Sequence, residues 1–410
     1  MEYEKLAKVF YKEGSDFYHD EVNKRKNSYG SYLTPLFIRG FRKGQKITDT
    51  FQLFYVHTDK LFSLNNKVLR NSAKVSNLIS KLPKFVIEPY FHKLIINEAQ
   101  SNNEIEGIRS TKKELKEVLE DVLKTEKSKK RFEGLMKTYL FINDIKPFKE
   151  IADFRNLFDQ LVSDEIDKDD FPDGELFRKG YVEVNDGAKT THIGIHSEMK
   201  IIEALNALIH YLDDQQHAEL YRYMAAHYYY EYVHPFYDGN GRTGRLLVCS
   251  YISRYLERYS AISLSYAINK NKSKYYKALE EIPNPLNNGE ITFYLMDMLE
   301  LLSAGQEGIM EDLEINLSKM KRIEAFFKST DWEHLEEEAG MLEIMTKLSV
   351  FVNDHADFSV ADLMEASNKS RYKVNNIMEN LEVGGYVQLV KKRPKSYTVT
   401  DKLLSELMIM

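Results

Sequence analysis

The chain has 410 residues, 43% hydrophobic and 29% charged, with 19 glycines and 9 prolines, which excludes a disordered, collagenous or low-complexity protein and allows two or three ordinary domains. Lys plus Arg number 57 against 63 for Asp plus Glu, a formal charge of −6, so the total creates no long-range attraction to DNA or anionic lipid, and only a local basic patch could bind either. The single cysteine, Cys249, cannot form an internal disulfide or a thiolate cluster and is expected in the core.

The first residues, MEYEKLAKVFYKEG, scatter their charges and contain no apolar stretch of signal-peptide length. No run approaches the roughly 18 apolar residues of a membrane span, so a cytoplasmic protein without a membrane partner is expected. Residues 16–50 read as loops with short strands or turns, because GSYLTPLFIRGF is short and glycine-punctuated. From Phe51 the apolar residues recur at three and four, which predicts helices through FQLFYVHTDKLFSLNNKVL and PYFHKLIINEA. Ser, Asn and Gly interrupt that pattern in SNNEIEGIRST, and Thr111 with Glu114 has capping-box spacing ahead of the next helix.

The acidic run from Ser163 to Glu175 reads as a solvated surface connection, since no spacing in it matches a calcium loop. LFRKGYVEVNDGAKTTHIGI alternates as a hairpin with Asp186-Gly187 at its turn. Helices resume at Ser197 and in HAELYRYMAAHYYYEYV, which ends directly at His234. Tyr221, Tyr228, Tyr229 and Tyr232 read as core and shoulder packing with hydroxyls reaching polar partners; no basic interleaving suggests nucleic-acid stacking. Helical spacing continues through KSKYYKALEEI, a NPLNNGE turn, ITFYLMDMLELLSAG, and a charged helix from Met310 to Thr330.

The run HPFYDGNGRTGR, His234 to Arg245, concentrates chemistry. Gly239, Gly241 and Gly244 let a backbone approach an anion closely at the start of a helix, whose free N–H groups carry partial positive charge. Arg242 and Arg245, three apart, place two guanidinium groups on neighbouring directions for phosphate oxygens. Asp238 is a hard oxygen ligand suited to magnesium beside a polyphosphate. His234 titrates near neutrality when unperturbed and suits a general base, and Asn240 can donate to a nonbridging oxygen. Singly, each residue also fits a structural histidine, a turn or a solvated face. On the residues alone, the run is an anion or nucleotide site with a base beside it.

HPFYDGNGRTGR resembles the signature of the Fic family, matching nine fixed positions in twelve. That resemblance implies a mainly α fold: a Fic helical core with a short β-hairpin flap. It also implies a protein adenylyltransferase that uses ATP and Mg2+. His234 would deprotonate a Tyr, Thr or Ser hydroxyl of a target protein, with the chain itself a candidate target, and Asp238 would bind the metal. Asn240 and the amides around Gly239 and Gly241 would hold the α-phosphate, with Arg242 and Arg245 on the distal phosphates. Phe236 would anchor the loop.

Upstream, NNEIEGI resembles the inhibitory helix of the same family, with Glu106 as the inhibitory glutamate and Asn102 departing from the usual Ser or Thr. Glu106 would compete for Arg245. GELFRKGYVEV resembles the segment ahead of the flap, and Thr191 to Met199 occupies the place of the flap, leaving His192 and His196 without an assigned role. The domains expected are an N-terminal region with the inhibitory segment over 1–110, a catalytic domain over 111–310, a helical linker over 311–335 and a last domain over 336–410.

That last domain reads helix, helix, helix, hairpin and resembles a winged helix-turn-helix, with Ser359 as a cap and Gly384-Gly385 ending the third helix. Lys369, Arg371 and Lys373 open the recognition helix, and Lys391, Lys392, Arg393 and Lys395 form the wing, so DNA is a candidate partner. Met341 to Met410 nevertheless carries nine basic and nine acidic residues, which weakens a sequence-independent attraction and leaves a packing or protein-interaction role equally open. A homodimer stays open too. The alternatives to adenylyl transfer are removal of AMP, a nucleotide-sensing DNA-binding regulator, and a structural adaptor.

Overall fold

The computed structural model describes all residues except 1–2, 125–129, 163–164, 186–188, 330–331, 333–334, 353–356 and 408–410. It divides into two compact units, Met1–Lys74 with Leu94–Ile309, and Val75–Lys93 with Met310–Met410. The fold is mainly α, as expected. No helix among the described residues is long and apolar enough to cross a membrane.

Two helices, α1 (Leu6–Glu13) and α2 (Ser15–Lys26), precede a long antiparallel hairpin of β1 (Ser31–Arg42) and β2 (Gln45–Val56). This corrects the loops expected over 16–50. Burial alternates along β1, with Thr34, Leu36, Ile38 and Gly40 inward, a period of two that glycine and proline had obscured. The helix expected from Phe51 is also corrected. Leu53, Phe54 and Tyr55 are consecutively buried in β2, and such a short apolar run has no period that separates strand from helix. The helix α3 (Asp59–Ile79) starts only after it.

The next helix, α4 (Lys84–Ile105), runs through the break expected at Ser101. Ser101, Asn102 and Asn103 are buried in its last turns. The Asn102 and Asn103 side chains are engaged outside the helix, Asn102 Nδ2 donating to Tyr139 Oη at 3.0 Å and Asn103 Nδ2 to Ser110 Oγ at 3.2 Å, and so do not compete with its backbone bonds. α5 (Lys112–Leu123) opens with the expected capping box of Thr111 and Glu114.

After α6 (Glu133–Leu140) and α7 (Ala152–Val162), the expected hairpin forms from β3 (Glu183–Asn185) and β4 (Thr190–Ile193). Its Asp186-Gly187 turn lies outside the described residues, as do Ser163 and Thr330. Then α8 (Glu198–Asp213) and α10 (Asn240–Tyr255) pack on α9 (Glu219–Val233). Every residue from Leu220 to Tyr230 is buried in α9, and every residue from Asn240 to Ser253 in α10. Helices buried all round belong to a core, and they account for the four tyrosines and for Cys249, all buried.

α11 (Arg258–Ala261), α12 (Leu264–Lys270) and α13 (Lys272–Glu281) lead to α14 (Thr292–Phe327), one helix where patterning predicts two. Its internal glycines cost about 1 kcal/mol each relative to alanine, too little to break a helix that buries Leu301, Leu302 and Ile309.

The last elements are α15 (Glu336–Phe351), β5 (Phe358–Ser359), α16 (Val360–Ser367), α17 (Arg371–Val383), β6 (Val387–Lys392), β7 (Lys395–Val399) and α18 (Asp401–Glu406), with sheet order β5-β7-β6. Ser359 and Ser370 cap α16 and α17. This is the helix, helix, helix, hairpin order expected of a winged helix-turn-helix, around a core that includes Leu342, Val374, Met378 and Tyr397. β5 and α18 are too short to have been visible as a period.

Candidate functional site

Burial of Phe236 fixes the loop between α9 and α10. Its ring is fully buried, stacked on Phe158 and tilted against Phe177. Asn240 clamps the same residue from the other side: Phe236 N donates to Asn240 Oδ1 at 2.9 Å, and Asn240 Nδ2 donates to Phe236 O at 2.8 Å. The amide expected to face a phosphate oxygen therefore closes the loop, with one hydrogen of Nδ2 left over. Gly239 precedes α10 with φ of 76°, a conformation that disfavours any side chain. The first backbone N–H groups of α10 have no acceptor within the helix, which makes its start a position for an anion.

His234 ends α9 in the left-handed region, and its Nδ1 lies 3.4 Å from Glu231 O. A carbonyl only accepts, so Nδ1 bears the hydrogen and Nε2 the lone pair. Burial, and then the Arg178 guanidinium, hold the imidazole down to about 4, so it is neutral at pH 7. Arg178 is itself fully buried and donates to His234 O at 2.8 Å, Gly180 O at 2.6 Å and Ile195 O at 2.8 Å. It thus ties His234 to both ends of the β3–β4 hairpin. Tyr237 adds a second tie, accepting from Gly180 N and donating to Asp173 Oδ1, both at 2.9 Å.

The two histidines without assigned roles separate. His192, on β4, hydrogen-bonds Tyr232 O at 2.9 Å and places its ring 5.9 Å from that of His234. His196 is exposed and lines a different groove. Among the described residues no cluster of three His, Cys, Asp or Glu side chains is arranged to hold a metal. Asp238 is exposed, and its Oδ1 accepts from Gly239 N at 2.6 Å, leaving the other oxygen for an external partner.

Arg242 and Arg245 are both buried, and each meets a carboxylate. Arg245 Nη2 donates to Glu106 Oε1 at 2.5 Å, while its Nε donates to Asn102 Oδ1 at 2.6 Å. Asn102, the departure from the usual Ser or Thr, thus supplies an acceptor to the same guanidinium. A Cβ on Gly241 would stand 2.2 Å from Glu106 Oε1, so glycine there is what admits the carboxylate. Arg242 Nη1 donates to Glu165 Oε2 at 2.7 Å. Glu165 belongs to the acidic run expected to be solvated, and this is corrected: its side chain is only 3% exposed and Ile166 beside it is buried. A buried guanidinium without a counter-charge is strongly unfavourable, and this one draws the loop inward.

One acid was not singled out by sequence. Glu231 Oε1 is buried without a hydrogen-bond partner. Burial holds its carboxyl up to about 8, with Arg245 pulling down and Glu106 pushing up. Glu106, Glu231, His192, His234, Arg245 and Tyr275 all line one cavity of about 170 Å³, which neither Asp238 nor Arg242 lines. That is small against the ~300–1,000 Å³ of ordinary ligand sites, and Glu106 forms part of its wall.

Four of the seven basic residues expected at the recognition helix and the wing have acidic neighbours. Lys369 reaches Glu337 at 2.9 Å and Lys373 pairs with the same carboxylate; Lys391 lies 3.8 Å from Asp357 and Lys395 lies 3.6 Å from Glu379. Arg371, Lys392 and Arg393 are exposed.

Residues 150–252 match the family model described as Fic/DOC family, so the chain contains a Fic/DOC domain. Among solved structures, a Fic family protein from Desulfovibrio desulfuricans G20 is 16% identical, with 85% of this chain and 98% of that chain covered and a TM-score of 0.52; the likeness is one of fold. A Fic domain containing signaling protein from Bacteroides thetaiotaomicron VPI-5482 is 18% identical over 62% of this chain and 97% of that one, with a TM-score of 0.40. Fic-1 from C. elegans is 17% identical over 62% of this chain and 74% of that one, with a TM-score of 0.41.

Proposed function

We propose that the chain is a protein adenylyltransferase that moves AMP from ATP to a Tyr, Thr or Ser hydroxyl of a protein and is restrained by Glu106. The observation that carries this reading is the 2.5 Å pair of Glu106 and Arg245 on the wall of the cavity that a neutral His234 also lines. The Fic/DOC domain supports it, since that family generally transfers nucleoside monophosphates to proteins.

In this reading His234 Nε2 takes the proton of the target hydroxyl. The freed oxygen bonds the α-phosphorus as the bond to the β-phosphate's bridging oxygen breaks, so AMP remains on the protein and pyrophosphate leaves. Charge that grows on the nonbridging oxygens meets the N–H groups that open α10 and the remaining hydrogen of Asn240 Nδ2. Arg245 orients the distal phosphates once Glu106 releases it, and Arg242 adds its charge nearby. Asp238, exposed and with one oxygen uncommitted, fits a single-carboxylate magnesium ligand, and the bound ion would offset phosphate charge. The β3–β4 hairpin positions the target by backbone pairing, which explains placement without a strict side-chain code.

The test is incubation with ATP labelled at the α-phosphate. Label bound covalently to protein, and lost in His234→Ala, is the expected result; equal labelling by both proteins would overturn the reading. Removal of AMP is a second reading, because the Glu106 side chain remains 30% exposed and could orient a water. AMP released from a modified protein only while Glu106 is present would favour it.

A further inference from the structure

A second recess lies beside the hairpin, next along β4 from the cavity: Thr191 and His192 line the cavity and Ile193 and Gly194 the recess. It is a groove of about 460 Å³ whose walls include Phe37, Arg39, Lys46, Tyr181, His196 and Lys200. Its construction joins three parts of the first unit. Arg39 N donates to Tyr232 Oη at 2.8 Å, and Lys46 Nζ donates to Gly194 O at 3.1 Å while standing 4.8 Å from the Tyr232 ring centroid. The N-terminal hairpin β1–β2 is thereby fastened to the flap and to the helix that ends at His234.

The groove carries uncompensated positive charge. Arg39 and Lys200 are exposed, and no carboxylate among the described residues lies within salt-bridge distance of Arg39, Lys46 or Lys200. Glu203 is the one acidic residue on the described lining. Burial, and then repulsion from Arg39 and Arg178, hold the Lys46 ammonium down to about 8, a penalty that a bound carboxylate would relieve.

We infer that this groove binds an acidic stretch of the protein being modified, next to the hydroxyl that reaches His234. The inference rests on the transfer reading above and names the kind of target it would favour. Ile193 and Gly194 line the groove, and Thr191 and His192 line the cavity. Two residues of extended chain span about 7 Å, so a segment lying along β4 passes from one recess to the other. Acidic residues two to four positions from the hydroxyl fall opposite Lys46, Arg39 and Lys200. The aromatic rims of Phe37 and Tyr181, 50% and 54% exposed, flank that path.

The experiment uses the full chain and two fluorescent twelve-residue peptides with a central tyrosine, one flanked by glutamates and the other by glutamines. In anisotropy titrations at low salt the acidic peptide should bind about tenfold tighter, and the difference should shrink as salt rises. Arg39→Glu with Lys200→Glu should abolish the difference; because both positions are exposed, folding is checked by an unchanged melting temperature, and Arg39→Gln with Lys200→Gln should give an intermediate loss. Equal binding of both peptides, a preference that survives charge reversal, or displacement of the acidic peptide by ATP alone would overturn the inference. Transfer of label by Glu106→Gly separates the two claims. Equal binding with equal labelling removes the groove and keeps the transferase, whereas selective binding without labelling of either peptide keeps the groove and removes the transferase.

Discussion

Glu106 Oε1 and Arg245 Nη2 meet at 2.5 Å, and the space that lets them meet is the missing side chain of Gly241. On the transfer reading, one guanidinium is thus shared between two uses that exclude each other. While it faces Glu106 it cannot present the same N–H edge to a phosphate. The contact joins residues 139 positions apart, at the end of α4 and within the first turns of α10.

Removing the carboxylate should therefore raise activity. Glu106→Gly is expected to increase incorporation from α-labelled ATP by about tenfold or more, the scale of one hydrogen bond to a charged group, ~1.5–3 kcal/mol. Equal incorporation by wild type and variant would count against the brake.

A second expectation concerns what then balances Arg245. Burial chiefly keeps Glu231 protonated and Glu106 adds to it, so removing Glu106 moves the Glu231 carboxyl toward ionisation beside the same guanidinium. Glu106→Ala should consequently shift stability by less than about 1 kcal/mol. Glu106→Ala combined with Glu231→Gln should lose about 1–3 kcal/mol beyond the sum of the single changes, read from denaturant unfolding at pH 7. Additive losses would show that the two acids are independent.

How much of this was legible depends on the reach of each interaction. HPFYDGNGRTGR stood out because its candidate chemistry is compressed into one turn and one loop, and the buried ring of Phe236 follows from its place in that run. The capping box at Thr111 was readable for the same reason. Glu165 and Glu231 were not, since each acts on a residue that only tertiary folding brings near, and Glu165 sat in a run whose composition is that of a solvated loop; Arg178 lies in GELFRKGYVEV, a segment the resemblance marked, but its carbonyl partners are set by the fold. The β1–β2 hairpin was missed because its inward residues alternate with Pro35 and exposed aromatics, which dilutes the period.

The Arg242–Glu165 pair predicts a different outcome from the Arg245–Glu106 pair. Its two side chains are 1% and 3% exposed, whereas Glu106 is 30% exposed. Glu165→Gln leaves a buried guanidinium without its counter-charge and should cost about 3–5 kcal/mol of stability. It should not activate the chain in the way Glu106→Gly does. A variant that melts within a degree or two of wild type would show that Arg242 finds another partner.

The final expectation is a pH profile. Burial and Arg178 hold His234 down to about 4 from an ordinary 6.5, so the neutral form persists to lower pH in the folded protein than in the unfolded chain. Two consequences have the same sign. For transfer by Glu106→Gly, kcat/KM, which reports the free enzyme, should stay level from about pH 8 to about pH 5.5 and fall only as pH approaches 4. For stability, the unfolded chain binds a proton at this position between about 6.5 and 4 that the folded chain does not, so folding weakens as pH drops through that window. His227, fully buried and held down to about 3, adds to the same loss. His234→Ala should therefore move the acid-unfolding midpoint to lower pH while abolishing transfer. An acidic limb of kcat/KM near 6.5 would mean that the imbalance imposed by burial and Arg178 is absent, and with it the reason for a base that stays neutral.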